Sequence, residues 1–332
     1  MTATDQTNRF AGRRVVIVGD LVADQFLNGT IARVSREAPV FILRHDDTAT
    51  RPGAAANTAA NIAALGGEAV LIGVVGEDAN GGMLLDSLGT GVGTGQIVRS
   101  SAFQTTTKLR VLAGQHYAAR QQVIRIDYEN SGQIGSETTR SLIDHLAAAG
   151  ETADAIVVSD YGYGVVTPKL FQQARKIADD RKIPLIVDSR FRLSEFVGAT
   201  SATPNQDEVE QIFGSGFTDA DCEKLRETLG LDALLVTRGN KGMLLIEADR
   251  PPVSIDAIGS SEPVDVTGAG DTVIAAYALG LAAGLSFAEA ARIANHAGSI
   301  VVMKKGTATA SLEELSSSLE EHARIQQAAP AN

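Results

Sequence analysis

The chain has a single cysteine and no tryptophan among 332 residues. One thiol, Cys222, excludes an internal disulfide and fits a reducing compartment. It stands in a charged helical stretch with no histidine beside it, which makes it a structural residue. Histidine is scarce as well: five are scattered along the chain, none at metal-ligand spacing. No basic block occurs and the net charge is −11, which argues against nucleic acid and anionic membrane as partners. The longest apolar runs are broken by glycine or charge well short of the roughly 20 residues of a membrane span. The first dozen residues lack the apolar core of a signal peptide and are expected to be a loose N-terminus. These absences predict a cytoplasmic protein. What the chain does have is 44% hydrophobic residues and 33 glycines, ample for a large core and many tight turns.

Short apolar runs alternate with helical patterns. Val15–Val18, Ala69–Val75, Ala155–Val158, Pro184–Val187 and Leu234–Thr237 read as buried strands. Helical patterns lie near Ala55–Leu65, Pro168–Arg181, Asp219–Leu229 and Gly270–Ala283. The alternation predicts an α/β fold: a mostly parallel sheet covered by helices on both faces. Ligands of such sheets bind beyond the carboxyl ends of the strands, where Gly19–Asp24, Asp160–Gly164 and Asp188–Arg192 fall. Two segments, about 26–45 and 105–129, break the rhythm and read as β-rich. In the second, Lys108 and Arg110 share one strand face, and Arg125 and Asp127 share another. A small sheet, apolar on one side and charged on the other, would make a lid over the site, and its apolar face makes a homodimer plausible. Gly89–Gly95 misses dinucleotide-loop spacing and is read as a turn. The single domain is placed at 13–320, with residues 321–332 a polar tail.

The most informative string is Val264-Asp265-Val266-Thr267-Gly268-Ala269-Gly270-Asp271-Thr272, which runs directly into an apolar helix. Gly268, Ala269 and Gly270 are small enough for backbone N–H groups to converge at a helix start, a place that attracts phosphate. Asp271 beside such a phosphate is poorly placed to hold it but well placed to take a proton from an attacking hydroxyl. A glycine pair that merely caps a helix is the alternative, but the string from Asp265 to Asp271 is far more specific than a lone Gly-x-Gly. Thr237, Gly239 and Gly242 form a second glycine-rich bend after a buried strand, suited to nucleotide phosphate. Asn205 and Glu208 stand three apart at a helix start, which is also capping-box spacing.

Five segments then come in one order: Gly19-Asp20-Leu21-Val22-Ala23-Asp24, Gly53-Ala54-Ala55-Ala56-Asn57, Thr203-Pro204-Asn205-Gln206-Asp207-Glu208, Thr237-Arg238-Gly239 and Asp265–Asp271. Together they resemble the ribokinase-like (PfkB) carbohydrate kinases over roughly Arg13 to Leu319. Ser35-Arg36-Glu37-Ala38-Pro39-Val40, Arg51-Pro52-Gly53, Thr107-Lys108-Leu109-Arg110-Val111-Leu112, Arg125-Ile126-Asp127 and Ser159-Asp160-Tyr161 are similar to the heptose 7-phosphate kinases within that family. Ala54 replaces a usual glycine, Tyr163 a lysine, and Ser189-Arg190 a Pro-Lys pair. The His-x-Gly-His loop of bifunctional relatives has no counterpart in the sequence, so nucleotidyltransfer is expected to be absent.

The resemblance implies a three-layer fold with a β-sheet lid, and an ATP- and Mg²⁺-dependent transfer of phosphoryl to a sugar hydroxyl. It implies Asp271 as base, with Gly268, Ala269 and Gly270 stabilising the transferring phosphoryl. Asp20, Asp24, Gly53 and Asn57 would bind the sugar; Asp20 as a turn residue and Asn57 as an N-cap are the plainer readings. Asn205 and Glu208 would position hydrated Mg²⁺ and nucleotide phosphates. Thr237, Gly239, Gly242 and Arg190 would meet ATP phosphates, and Asn295 the adenine side. Lys108, Arg110 and Arg125 are the candidates for a phosphate on the acceptor, although cations are common on surface strands. Asp265, Thr267 and Gly306 would surround a monovalent cation such as K⁺.

Overall fold

The computed structural model describes residues 3–115, 120–130, 134–260 and 262–328. Among them, strands are β1 (Arg14–Gly19), β2 (Leu21–Val34), β3 (Phe41–Ala54), β4 (Glu68–Gly76), β5 (Val92–Ser100), β6 (Thr106–Gly114) and β7 (Gln121–Tyr128). There follow β8 (Ala155–Asp160), β9 (Leu185–Ser189), β10 (Ser201–Ala202), β11 (Ala233–Thr237), β12 (Met243–Glu247) and β13 (Val253–Ile255).

One sheet has the order β13-β12-β11-β10-β9-β8-β1-β4-β5. Its pairs are parallel from β5 to β11 and antiparallel at β11–β12 and β12–β13. Strands buried on both faces must be apolar throughout their buried length, and β1 is from Val15 on: Val15 and Ile17 enter one core, Val16 and Val18 the other. The connection rises to β4 on one side of β1 and to β8 on the other, so the sheet's switch point lies at the carboxyl end of β1. Helix Ala269–Ala282 is buried at every position from Asp271 to Ala282 and packs against helices Ala55–Ala64 and Phe287–Val301. An all-round apolar helix belongs inside a protein, and this one carries its N-terminus to the switch point.

The second sheet has the order β3-β2-β6-β7. The two β-rich segments of the sequence meet here through parallel pairing of β2 with β6. β2 and β3 begin and end deeper than expected, at Leu21 and Ala54, which places Asp24 and Gly53 on this sheet's root.

Three expectations need correction. Within the stretch read as a loose N-terminus, Ala3–Thr7 is helical and Phe10, fully buried, anchors the segment in the core. Gly89–Gly95 is a turn only to Gly91, because Val92 already pairs with Ala69 along β4. Helix Leu312–Ala328 crosses the proposed boundary at residue 320. Among the described residues, no helix is long and apolar enough to cross a membrane.

Candidate active site

Gly268 caps helix Ala269–Ala282 with φ 78°, a left-handed conformation that favours glycine. A side chain there would also collide with Asn57, since an added Cβ would lie 2.5 Å from its Nδ2. The cap puts Gly270 and Asp271 at the second and third helical positions, whose N–H groups have no carbonyl four residues back within the helix. Ala269 contributes less than expected, because its N–H donates to Val266 O at 3.2 Å.

Two cavities meet across this turn. One, of about 200 Å³, is lined by Thr237, Gly239, Gly242, Val266, Ala269, Gly270 and Asn295, with apolar walls from Met243, Ile258 and Val302. The other, of about 170 Å³, is lined by Asp24, Ala54, Lys108, Arg110, Arg125, Tyr161, Arg190, Gly268 and Asp271. Asp271 thus sits at the boundary, 3% exposed. Its Oδ2 accepts from Asn57 Nδ2 at 2.9 Å and its Oδ1 from Tyr161 Oη at 2.7 Å. Burial lifts its carboxyl to about 6, against the lowering effect of those two donors.

The polar cavity carries four cations against two carboxylates. Asp24 and Arg110 form an ion pair at 2.6 Å, both nearly buried. Burial raises the Asp24 carboxyl, with Arg110 opposing. Arg110 and Arg125 are opposite each other across β6 and β7, a like-charge pair held by one carboxylate each, Asp24 on Arg110 and Asp127 on Arg125. Burial lowers the Lys108 pKa, and its Nζ stands 5.8 Å from the Tyr161 ring and 5.6 Å from the Tyr163 ring.

Of the sugar candidates Asp20, Asp24, Gly53 and Asn57, only Asp24 lines this cavity. Asp20 is fully buried and does not line the cavity; its carboxylate accepts the N–H groups of Tyr161, Tyr163 and Val165 at 2.8, 3.1 and 3.1 Å. Its turn-shaping role outweighs the expected contact, and burial raises its carboxyl to about 6. Asn57 is inside its helix rather than capping it, and its amide is turned to Asp271 and to Gly268 O at 3.3 Å. Gly53 packs its Cα face on Asp24, where an added Cβ would lie 2.7 Å from Oδ2.

Asn205 and Glu208 form a reciprocal capping box, each side chain accepting the other's N–H at 2.9 Å. Burial raises Glu208 to about 7. Asp188, at the end of β9, is driven well above the carboxylate range by burial, then by the charges of Glu208, Asp271 and Asp160. Among the described residues, no group of three or more His, Cys, Asp or Glu side chains converges closely enough to hold a metal ion directly. Asp265 ties its own loop together, accepting from Thr267 N and Oγ1 at 3.0 and 2.7 Å and from Gly306 N at 2.8 Å. Asn295 donates to Asp256 O at 2.8 Å at the edge of the apolar cavity. Sequence reasoning missed Tyr161 and Asp188 as site residues, although both stand at strand ends on the ligand side of the sheet.

The family model described as pfkB family carbohydrate kinase matches residues 13–315. "Bifunctional protein HldE" of Geobacter sulfurreducens is 40% identical over 311 residues, covering 92% of this chain and 62% of that protein. The protein of the same name from Gluconobacter oxydans is 39% identical over 313 residues, covering 92% and 64%. The chain therefore spans under two thirds of the length of these relatives. Among solved structures, Arabidopsis thaliana ribokinase with ribose and ATP superposes with a TM-score of 0.69 at 21% identity, covering 93% and 99% of the two chains. Escherichia coli phosphofructokinase-2 with substrates and products gives 0.76 at 21% identity, covering 94% and 100%.

Proposed function

We propose a specific reaction for this chain, which belongs to the pfkB family of carbohydrate kinases and is thus a sugar-kinase phosphotransferase with ATP as co-substrate. The reading is that it phosphorylates a sugar phosphate, with the anomeric oxygen of heptose 7-phosphate as the preferred acceptor. The observation that carries it is Asp271, poised at a helix N-terminus between an apolar cavity and a cationic one.

In this reading the nucleotide occupies the cavity along Thr237, Gly239, Gly242 and Asn295, and the acceptor the cavity under Lys108 and Arg110. Asp271 takes the hydroxyl proton as the oxygen bonds to the γ-phosphorus and the bond to the β-phosphate bridge breaks, releasing ADP. The free N–H groups at Gly270 and Asp271 face the charge of the transferring group; one such donor is typically worth about 10²–10³ in rate. Asp24 accepts from sugar hydroxyls. Lys108, Arg110, Arg125 and Arg190 gather around this cavity, a setting suited to a phosphate, and arginine's fork donates to one twice. Asp188 and Glu208 lie close enough for their charges to oppose each other, an opposition that a Mg²⁺ ion keeping its waters between itself and the protein would relieve. Mg²⁺ would neutralise phosphate charge there. The Asp265, Thr267 and Gly306 loop is the proposed K⁺ neighbourhood.

The heptose assignment rests on the subfamily-like segments of the sequence and on about 40% identity to the HldE proteins. Ala54, which lines the acceptor cavity where a glycine is usual, supports a second reading with a different phosphorylated sugar. We also propose that the four-stranded sheet is a lid and that it pairs with a second copy. Val123, Ile124 and Ile126 on β7 and Phe41 on β3 are exposed apolar residues on it. Sedimentation at micromolar concentration reads this directly, and a monomer overturns it.

The test of the reaction is ATP turnover against a panel of sugars and sugar phosphates, with Asp271→Ala alongside. Turnover that requires a sugar phosphate and Asp271 supports the reading. Equal transfer by both proteins rejects the catalytic assignment, and binding without turnover in either makes the chain a regulator.

A further inference from the structure

Asp271 is gripped from two sides, and only one grip comes from a residue the motif suggested. Asn57 holds Oδ2; Tyr161 holds Oδ1 with a 2.7 Å hydrogen bond from its phenol. Tyr161 follows directly on β8, at the carboxyl end of the parallel sheet, and shares the acceptor cavity with Asp271. Its backbone is fixed by Asp20, whose carboxylate gathers three N–H groups of the loop 161–165. Lys108 reaches from the second sheet over the rings of Tyr161 and Tyr163. Asp20, Tyr161 and Asp271 thus form a hydrogen-bonded chain from the end of β1 to the carboxylate.

We propose that Tyr161 is a positioning residue of the phosphoryl transfer, its hydroxyl holding the Asp271 carboxylate in one orientation and in its ionised form. Asp20 acts one step further back, setting the place of Tyr161 rather than binding sugar. The proposal rests on Asp271 as the base. A donor to a carboxylate favours the charged form, because the hydrogen bond to the anion is stronger than that to the neutral acid. The phenol stays protonated, since burial and then the Asp271 charge push its own pKa well up. The other groups facing Asp271 are Asn57 from helix Ala55–Ala64, Asp24 and Lys108 from the second sheet, and Asp188 from the end of β9. Arg110, Arg125 and Arg190 line the same cavity. All of these remain when the phenol is removed, so a pH profile isolates its effect.

The experiment is kcat/KM against pH from about 5 to 9, with ATP and the best acceptor of the sugar-phosphate panel, for wild type, Tyr161→Phe, Asp20→Asn and Asp271→Asn. A hydrogen bond to a charged group moves a carboxyl pKa by about one unit, so Tyr161→Phe moves the acid limb up by about one pH unit. With the limb moved from about 6 to about 7, turnover falls about twofold at pH 7 and nearly tenfold at pH 5, both KM values stay within about twofold, and the deficit closes above pH 8. Asp20→Asn moves the limb in the same direction with the acceptor KM unchanged. Tyr161→3-fluorotyrosine, nearly isosteric and a stronger donor, moves the limb down, and it stands in should Tyr161→Phe fail to fold. A limb that stays in place in these variants, or a loss carried by the acceptor KM, overturns the proposal. If Asp271→Asn keeps wild-type turnover, the base assignment has failed first; if it is inert while the Tyr161 variants leave the limb unmoved, only the positioning role has failed.

Discussion

Asn57 and Asp271, 214 residues apart in the chain, meet at 2.9 Å with the Asn57 amide donating to the carboxylate. The same amide reaches Gly268 O, and its own oxygen accepts from Asn61 Nδ2 at 3.2 Å, so Asn57 joins two helices through one satisfied network. Both side-chain donors of Asn57 are spent on the base and the turn beside it, and its side-chain oxygen on Asn61.

Asn57→Ala therefore acts on turnover before substrate binding. Removing the donor leaves a buried carboxylate oxygen short of a partner, which typically costs about 1–3 kcal/mol. The expected result is a drop in kcat of about 10–100-fold, an acceptor KM within about threefold, and a lower melting temperature. Steady-state kinetics with both substrates varied checks it. A large rise in acceptor KM at unchanged kcat would return Asn57 to the sugar.

Ala54 has φ 53° and ψ −132°, a backbone conformation that L side chains rarely adopt, at the entrance to helix Ala55–Ala64. Such strain costs of order 1–3 kcal/mol, while glycine adds about 0.5–1 kcal/mol of unfolded-chain entropy. Ala54→Gly is expected to stabilise by about 1 kcal/mol, seen as a melting temperature raised by about 2 °C. It also opens the acceptor cavity that Ala54 lines. A lower melting temperature would mean that the strain is absorbed elsewhere.

Much of this architecture was legible in the sequence, for a physical reason. Strands such as β1 and β8 are buried on both faces, so their apolar runs are unbroken and stand out from any neighbour. The turn Gly268–Asp271 is local, so its requirements for small residues and an acid are written in adjacent letters. The partners of Asp20, Tyr161, Tyr163 and Val165, arrive only after some 140 residues of chain, so its bonds to that loop could not be read from the letters around it. Tyr161 and Asp188 were placed on ligand-side loops but given no role, since each gains meaning from carboxylates that the sheet brings near. Helix Ser136–Gly150 was overlooked although its buried residues, Leu142, Leu146 and Ala149, recur at helical spacing; its first two turns, Ser136 to Ser141, are polar throughout.

Arg110 is the cation whose loss should matter most at the acceptor. Its ion pair with Asp24 is nearly buried, so Arg110→Ala strands a desolvated carboxylate as well as removing a phosphate donor. The expected outcome is an acceptor KM raised at least about tenfold, an ATP KM within about twofold, and incomplete rescue by Arg110→Lys, which lacks the planar fork. Lys108→Ala should follow the same split more weakly. Equal effects on both KM values would move these residues out of the acceptor site.

Asp271→Asn should destroy activity and raise stability together. Burial holds the folded-state carboxyl near 6, above the ordinary value of about 3.9 in an unfolded chain. The folded state therefore holds a proton that the unfolded chain has released between those values. The stability linked to it is complete below about pH 4 and is lost as pH rises through 6. At pH 8 the ionised, desolvated carboxylate costs up to about 3 kcal/mol, a cost an amide does not carry. Asparagine keeps both contacts, since its oxygen accepts from Asn57 and its amide donates to the Tyr161 hydroxyl. Calorimetry at pH 8 should find the variant melting above wild type, while turnover falls about 10²–10⁴-fold. At pH 5 the gap in melting temperature should shrink, because wild type is then protonated at this site; Asp20, raised in both proteins, cancels from the comparison. A gap of the same size at pH 5 and pH 8 would show that packing, not the buried charge, separates the two proteins.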